Sequence, residues 1–182
     1  GDLIRAIDTG VGVSTDPSGL AKIAAYVENS DIDNTATYVY GGDLKGNVWR
    51  FDLTAANPNS WNVKRLAVLK DASGNTQPVT TVPELAKITI SGTDKRFVYV
   101  GTGQYLGDTD VATTGTQTMY ALVDDLSNPA GITPVISDPT RTSLQMQTLT
   151  ASGTTRTATA NAVDFATKKG WYVDMPASGE RI

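Results

Sequence analysis

Residues 38–53, which read YVYGGDLKGNVWRFDL, decide the fold of this chain. Two short apolar runs, residues 38–40 and 48–51, flank a glycine-rich segment. From residue 48 onward every second side chain is large and apolar, which is the period of a half-buried strand. Gly46 and Asn47 tolerate the positive φ angles of a tight turn. The stretch therefore predicts a β-hairpin.

A looser copy of this pattern follows in residues 97–103 (FVYVGTG) and 119–124 (MYALVD). Strand pairs of one pattern that recur at a long spacing indicate repeated antiparallel sheets, as in the blades of a β-propeller. Short apolar runs along the chain predict about a dozen strands, which is about three blades at four strands each. We therefore predict an all-β chain that forms part of a propeller.

Composition excludes several classes of protein and chemistry. The formal net charge of −4 offers no basic surface for nucleic acid, and the apolar runs are too short to insert into a membrane. The chain has no cysteine and no histidine. Disulfides, thiolate nucleophiles, cysteine or histidine metal ligands and a serine triad with an imidazole base are therefore excluded. Any chemistry must use carboxylates, hydroxyls, lysine or the backbone.

Residues 40–53 closely resemble the YaGDLxGNlWRFDL signature of the PilY/PilC family of type IV pilus biogenesis factors and tip-associated adhesins. Three further stretches match the same family in the same order, and together they extend the resemblance over nearly all of the chain: residues 3–20, 96–106 and 170–181. The resemblance implies a modified seven-bladed, quinoprotein-like β-propeller, of which this chain would be a fragment.

The resemblance and the strand pattern together predict how the chain is divided. We expect residues 1–182 to form a partial propeller with four parts: residues 1–22 as the end of a preceding blade and a linker, 23–70 as the blade with the GGDLKGNVWRFDL motif, 84–126 as the next blade, and 143–182 as a partial blade. Strand edges left open in such a fragment tend to pair with another chain. We therefore expect it either to dimerise through edge strands or to cover its edges.

The resemblance also implies a calcium loop directly before the signature strand, with an EF-hand-like pattern of Asp-x-Asp/Asn-x-Asp-Gly-x-x-Asp. Its ligand positions fall on Asn29, Asp31, Asp33, Thr35 and Thr37, with Asn34 in the glycine position. Calcium takes six to eight oxygen ligands, several of them anionic. Only Asp31 and Asp33 are carboxylates here, with Glu28 as a further candidate ligand. Two alternatives stay open: a weakened Ca²⁺ site, or an Asx-rich surface loop that joins two strands.

Two other features have both a chemical and a structural interpretation. Asp124 and Asp125 form a carboxylate pair in sequence, but neighbours on a strand point to opposite faces, which favours a solvated strand end. Large aromatic residues at strand positions could stack on a ligand, but we expect them in the core between blades. These residues are Trp49, Phe51, Tyr99, Tyr120, Trp171 and Tyr172.

The resemblance implies a non-catalytic module of type IV pilus assembly and of a tip adhesin, acting in pilus extension, retraction and surface attachment under calcium control. Its expected partners are pilins or minor pilins and host or surface receptors. Its expected location is exported: the periplasm, the outer-membrane surface or the pilus tip. One alternative is a fragment of a quinoprotein-dehydrogenase-like propeller enzyme, against which the missing cysteines and the few blades argue. Another is a periplasmic propeller scaffold for assembly.

Overall fold

A computed structural model describes residues 1–138 and 140–182 of the protein. These residues form an all-β structure with two short 3₁₀ helices, Pro58–Ser60 and Asp108–Ala112. The all-β prediction is confirmed. The strands are β1 Gly12–Val13, β2 Asp16–Pro17, β3 Leu20–Asn29, β4 Asp33–Asp43, β5 Asn47–Asp52, β6 Asn62–Val68, β7 Glu84–Ile90, β8 Thr93–Gly101, β9 Thr118–Asp124, β10 Gln145–Gln147, β11 Leu149–Ser152, β12 Thr155–Ala158 and β13 Gly170–Asp174. In this part of the chain no helix is long and apolar enough to cross a bilayer.

The first large sheet has the antiparallel order β3-β4-β5-β6. The predicted hairpin of residues 38–53 is its centre, because β4 pairs with β5 in the register Tyr40↔Arg50 and Gly41↔Trp49. The open side of β6 is partly covered by a later loop, through bridges from Lys64 to Gly131 and from Ala67 to Ile136. Covering an edge in this way removes backbone groups that would otherwise pair with another chain. Dimerisation through the other edges stays a prediction.

The second large sheet has the order β10-β13-β9-β8-β7. Strand β13 pairs antiparallel with β9, and β10 adds to β13 in parallel. Within residues 143–182, predicted as a partial blade, β10 and β13 therefore extend the second sheet, while β11 and β12 form a separate hairpin. The described strands form two blade-like sheets and two short hairpins, where about three blades were predicted. Residues 3–8, which lie in the part predicted as the end of a preceding blade and a linker, have no strand structure.

The core lies where the two large sheets meet. Trp49, Tyr40, Val48 and Val79 are fully buried. Three of the six aromatic residues expected in the core are buried there, namely Trp49, Tyr120 and Tyr172. The other three, Phe51, Tyr99 and Trp171, are half-buried. Trp49, Tyr120 and Tyr172 are therefore part of the packing between strands and sheets, whereas Phe51 lines a small open groove on the surface.

Gly42 lets the segment that joins the sheets approach β4 closely. A Cβ atom at Gly42 would lie 2.2 Å from Cγ1 of the fully buried Val79. We expect Gly42→Ala to lower the free energy of unfolding by about 1–3 kcal/mol, because the core must move to admit the methyl group. The control is Gly107→Ala, since Gly107 has an extended φ of −154° and open space around it. Urea denaturation of both variants measures the effect, and equal midpoints would contradict the prediction.

Candidate functional site

The five predicted calcium ligands lie in and after the turn between β3 and β4. β3 ends at Asn29, β4 begins at Asp33, and these two residues are paired across the turn. The Oδ1 atom of Asn29 accepts a hydrogen bond from the backbone N–H of Asp31, at 3.2 Å. Oδ1 of Asp33 accepts from the backbone N–H of Thr35 at 2.9 Å and from its hydroxyl at 2.6 Å. The side chains of Asn29 and Asp33 thus accept hydrogen bonds from other residues of the same loop.

The donor set of this loop does not fit Ca²⁺ well. One carboxylate oxygen of Asp33 is held by Thr35, and the hydroxyl of Thr37 donates to the backbone carbonyl of Tyr26 at 3.3 Å. The hydrogen bond from the Thr35 hydroxyl lowers the pKa of Asp33. In residues 1–138 and 140–182 no three acidic, histidine or cysteine side chains lie close enough to hold a metal ion. The calcium site stays a prediction, and the geometry favours the Asx-rich loop.

Thermal unfolding separates these two alternatives. We expect the same Tm in calcium and in chelator, because two carboxylates supply too little negative charge to dehydrate Ca²⁺. A ligand at a hundred times its Kd would instead add about 2.7 kcal/mol to the free energy of unfolding. Asp33→Ala tests the loop, and Asp52→Ala is the matched control, because Asp52 makes the same pair of hydrogen bonds to Thr54. A calcium-dependent rise in Tm that only Asp33→Ala abolishes would establish the site.

A cleft of about 680 Å³ opens beside this hairpin, where both large sheets end. We call it the sheet-end cleft. Its lining combines basic, acidic and apolar side chains from β3, β7, β8 and β9 and from the loops before β10 and β13. The lining residues are Glu28, Lys87, Thr93, Asp94, Lys95, Arg96, Val123, Asp124, Asp125, Leu126, Asn128, Val135, Phe165, Ala166, Thr167, Lys168 and Lys169.

Glu28 connects the predicted calcium hairpin to the wall of the sheet-end cleft. Its carboxylate accepts hydrogen bonds from Lys87 Nζ at 2.8 Å and from Arg96 Nη2 at 3.1 Å. The bond from Lys87 holds the pKa of Glu28 below its ordinary value and raises the pKa of Lys87. The Arg96 guanidinium also lies 3.6 Å from the ring centre of Tyr26 and 4.6 Å from that of Tyr38. Arg96 is therefore fixed by charge and by two aromatic faces.

Asp124 forms the buried floor of the sheet-end cleft. Its Oδ1 accepts from Arg50 Nη1 at 2.7 Å, and its Oδ2 accepts from the Tyr40 hydroxyl at 2.7 Å. Burial, followed by the negative charge of Asp124, raises the pKa of Tyr40. The prediction of a solvated strand end was wrong for Asp124, whose side chain is 0% exposed, and right for the exposed Asp125. The reason is that β9 turns Asp124 toward the first sheet.

Depressed carboxyl pKa values make the stability of the protein sensitive to acid. The hydrogen bond from Lys87 lowers the pKa of Glu28, and the hydrogen bond from the side chain of Thr140 lowers the pKa of Asp138 from 3.8 to about 2. Such groups contribute stability above their unfolded pKa and lose it as the pH falls through the folded pKa. We expect Tm to fall steadily from about pH 4.5 to about pH 2 and to stay level between about pH 5 and 8, since the chain has no histidine. A Tm that is constant down to about pH 2 would contradict this.

Sequence reasoning missed Arg50, Arg96 and Lys87 as members of this site. The alternation of residues 48–53 predicted a half-buried strand with Arg50 on its polar side, yet Arg50 is 2% exposed. Both faces of β5 are covered, so alternation could not identify a solvent face. A charged residue inside an otherwise apolar strand was the available signal, because a buried charge requires a partner.

Comparisons with a family model, with individual proteins and with solved structures all indicate the same family. A model of the PilY1 beta-propeller domain matches residues 1–162. A type IV pilus biogenesis factor PilY1 homolog of Xylella fastidiosa is 31% identical over 202 residues, which is 99% of this chain and 13% of that protein. The type IV pilus biogenesis factor PilY1 of Pseudomonas aeruginosa is 33% identical over 203 residues, covering 90% of this chain and 17% of the relative.

Among solved structures, the chain is similar to the crystal structure of the Pseudomonas aeruginosa PilY1 C-terminal domain. The TM-score is 0.80 at 25% sequence identity, and the match covers 100% of this chain and 45% of that one. The chain thus spans 13–17% of the length of these two curated relatives. It also spans under half of the solved domain.

Proposed function

The chain belongs to the family of PilY1 β-propeller domains, and from this premise we propose that it is a non-catalytic propeller module of a type IV pilus biogenesis factor. The observation that carries the proposal is the family match over residues 1–162. The stretch that suggested the family, residues 40–53, lies in β4 and β5, which include Tyr40, Val48 and Trp49 of the buried core. The signature therefore maintains the scaffold, and the loops around it are available for partners.

The module's part in pilus biogenesis is proposed to be in extension, retraction and surface attachment. Its partners would be pilins or minor pilins and receptors on host or abiotic surfaces, which requires an exported protein at the periplasm, the outer-membrane surface or the pilus tip. What supports this is the sheet-end cleft, where mixed charged and apolar side chains form a recess suited to a protein partner. Calcium control through residues 29–37 is part of the proposal only if the melts described above detect a site.

A deletion tests the proposed role. Removing the coding region for these 182 residues from the chromosome of the source organism should abolish pilin in sheared surface fractions and surface motility, while the total pilin in cells stays unchanged. Wild-type and Asp52→Ala copies should restore both readouts, since Asp52 does not line the sheet-end cleft, and the core variant Asp124→Ala should not. Unchanged surface pilin in the deletion strain would overturn the proposal.

The dehydrogenase alternative rests on the propeller fold and on the resemblance of residues 46–52 to a quinoprotein blade motif, whereas the two relatives reported above are named as biogenesis factors. Visible absorbance of the purified protein, measured before and after addition of a quinone cofactor, tests it directly. A stoichiometric quinone band would favour the enzyme. The scaffold alternative predicts capture of outer-membrane assembly proteins in a pulldown, with no effect on surface attachment.

A further inference from the structure

We propose that the sheet-end cleft binds a ligand in which a carboxylate is joined to an apolar group. Small aromatic acids and acidic peptides share this chemistry. The inference rests on the charges and the apolar wall of the cleft, and it does not depend on a role in pili. Its volume of about 680 Å³ lies within the range of about 300–1,000 Å³ that ligand pockets occupy.

The cleft carries more cations than anions although the whole chain is acidic. Its lining includes five basic residues, Lys87, Lys95, Arg96, Lys168 and Lys169. It includes four carboxylates, Glu28, Asp94, Asp124 and Asp125, in a chain whose formal net charge is −4. An excess of basic groups inside an acidic protein attracts an anion to this place and not to the surface in general.

The four carboxylates of the cleft already accept hydrogen bonds from the protein. The bonds to Glu28 and Asp124 were given above. Asp94 accepts a hydrogen bond from the Thr89 hydroxyl at 2.6 Å, and Asp125 accepts one from the backbone N–H of Ser127 at 3.0 Å. A carboxylate that already accepts hydrogen bonds has fewer free lone pairs with which to bind an incoming cation. These pairings favour an anionic ligand over a cationic one.

Two of the five basic residues in the lining, Lys95 and Lys169, are not paired with a carboxylate in the described part of the chain. The Nε–H of Arg96 is closed to solvent, so the cations that a ligand in the cleft can reach are Lys95 and Lys169. A carboxylate supplies two acceptor oxygens and the opposite charge.

The apolar part of the ligand has a wall to contact. Val123, Leu126, Val135 and Phe165 line the cleft. Phe165 is held edge-on against Phe97, with ring centres 5.7 Å apart and planes at 87°. The ammonium group of Lys95 lies 5.8 Å from the Phe165 ring centre. A cation and an apolar surface therefore stand side by side, which matches a carboxylate attached to an aromatic or aliphatic group.

Nucleic acid is a poor candidate for this cleft. Its affinity comes from neutralising many phosphates, each of which needs a lysine or arginine. Here five basic residues face four carboxylates, and the chain as a whole would repel a polyanion. One or two carboxylates on a partly apolar ligand fit the local charge better.

Isothermal titration calorimetry of the 182-residue chain at low salt tests the proposal. One arm uses the peptide acetyl-Glu-Phe-Glu-amide and the other uses 3-phenylpropionate, so that peptide and small-molecule sources are distinguished. We expect saturable binding of at least one probe and none of acetyl-Gln-Phe-Gln-amide. Absence of binding by both acidic probes, or equal binding of the glutamine peptide, would overturn the proposal.

Lysine variants locate the binding in the cleft. The double variant Lys95→Gln, Lys169→Gln should weaken binding at least tenfold. The control Lys22→Gln, Lys70→Gln changes the net charge by the same amount at lysines that do not line the cleft, and it should bind like the wild type. Lys169→Gln alone, at an exposed lysine, keeps the test valid should the double variant fail to fold. Equal affinities of the cleft and control variants would contradict the proposal.

Discussion

Asp124→Ala is expected to lower the free energy of unfolding by about 3–5 kcal/mol, because it removes one partner of a buried ion pair. Arg50 is 2% exposed, and its guanidinium would be left charged in the core without Asp124. The Tyr40 hydroxyl would lose the acceptor to which it donates at 2.7 Å. Urea denaturation followed by circular dichroism measures the loss.

Asp125→Ala is the matched control, because Asp125 is the next residue in the chain and is exposed. It should cost less than about 1 kcal/mol, since its hydrogen bond from the backbone of Ser127 can be replaced by water. Similar losses for the two variants would show that the ion pair contributes little. The double variant Arg50→Met, Asp124→Leu sharpens the test: replacing both charges by apolar groups should restore most of the stability that Asp124→Ala removes.

The contrast between Asp124 and Asp125 also shows what the sequence could predict. Alternation along β9 correctly placed the two carboxylates on opposite faces. It could not tell which face another sheet covers, because that depends on residues such as Arg50, more than 70 positions away in the chain. The same limit applies to residues 143–182, which were predicted as a partial blade: the pairing of Gly170–Asp174 with β9 is a long-range contact without a local signal.

The sheet-end cleft could not be predicted from the sequence for a related reason. Glu28, Arg96, Asp124 and Lys169 come from four separate parts of the chain and meet only after both sheets have formed. By contrast, the hairpin of residues 38–53 was predictable, since its strands and its turn are adjacent in sequence. Local patterns thus determine the strands and the family, and tertiary contacts determine the candidate site.

A second large effect is expected at the turn of the signature stretch. Residues 43–47 read DLKGN and residues 71–75 read DASGN, and both turns are closed in the same way. The aspartate Oδ1 accepts from the backbone N–H of the third and fifth residues, at 2.9 Å in all four cases. The asparagine side chain donates to Oδ2 at 2.8 Å in the first turn and 2.9 Å in the second. The chain therefore contains its own matched pair of turns.

The two turns differ in burial and in one added bond. Asp43 is 0% exposed, and its Oδ2 also accepts from the indole N–H of the fully buried Trp49 at 3.0 Å. Asp71 is nearly buried as well, but the four residues that follow it are exposed. Loss of Asp71 therefore leaves donors that water can reach. Loss of Asp43 leaves buried donors on Asn47 and Trp49 without an acceptor.

Asp43→Ala should accordingly lower the free energy of unfolding by about 2–6 kcal/mol, counting about 1–3 kcal/mol for each of two buried donors left unsatisfied. Asp71→Ala should cost about 1 kcal/mol, because its donors turn to water. Urea denaturation of the two variants side by side gives the difference. Equal losses would mean that the turn alone matters, and that the bond to Trp49 and the burial of Asp43 add nothing. A larger loss at Asp43 would show that the signature stretch stabilises the core through this one carboxylate.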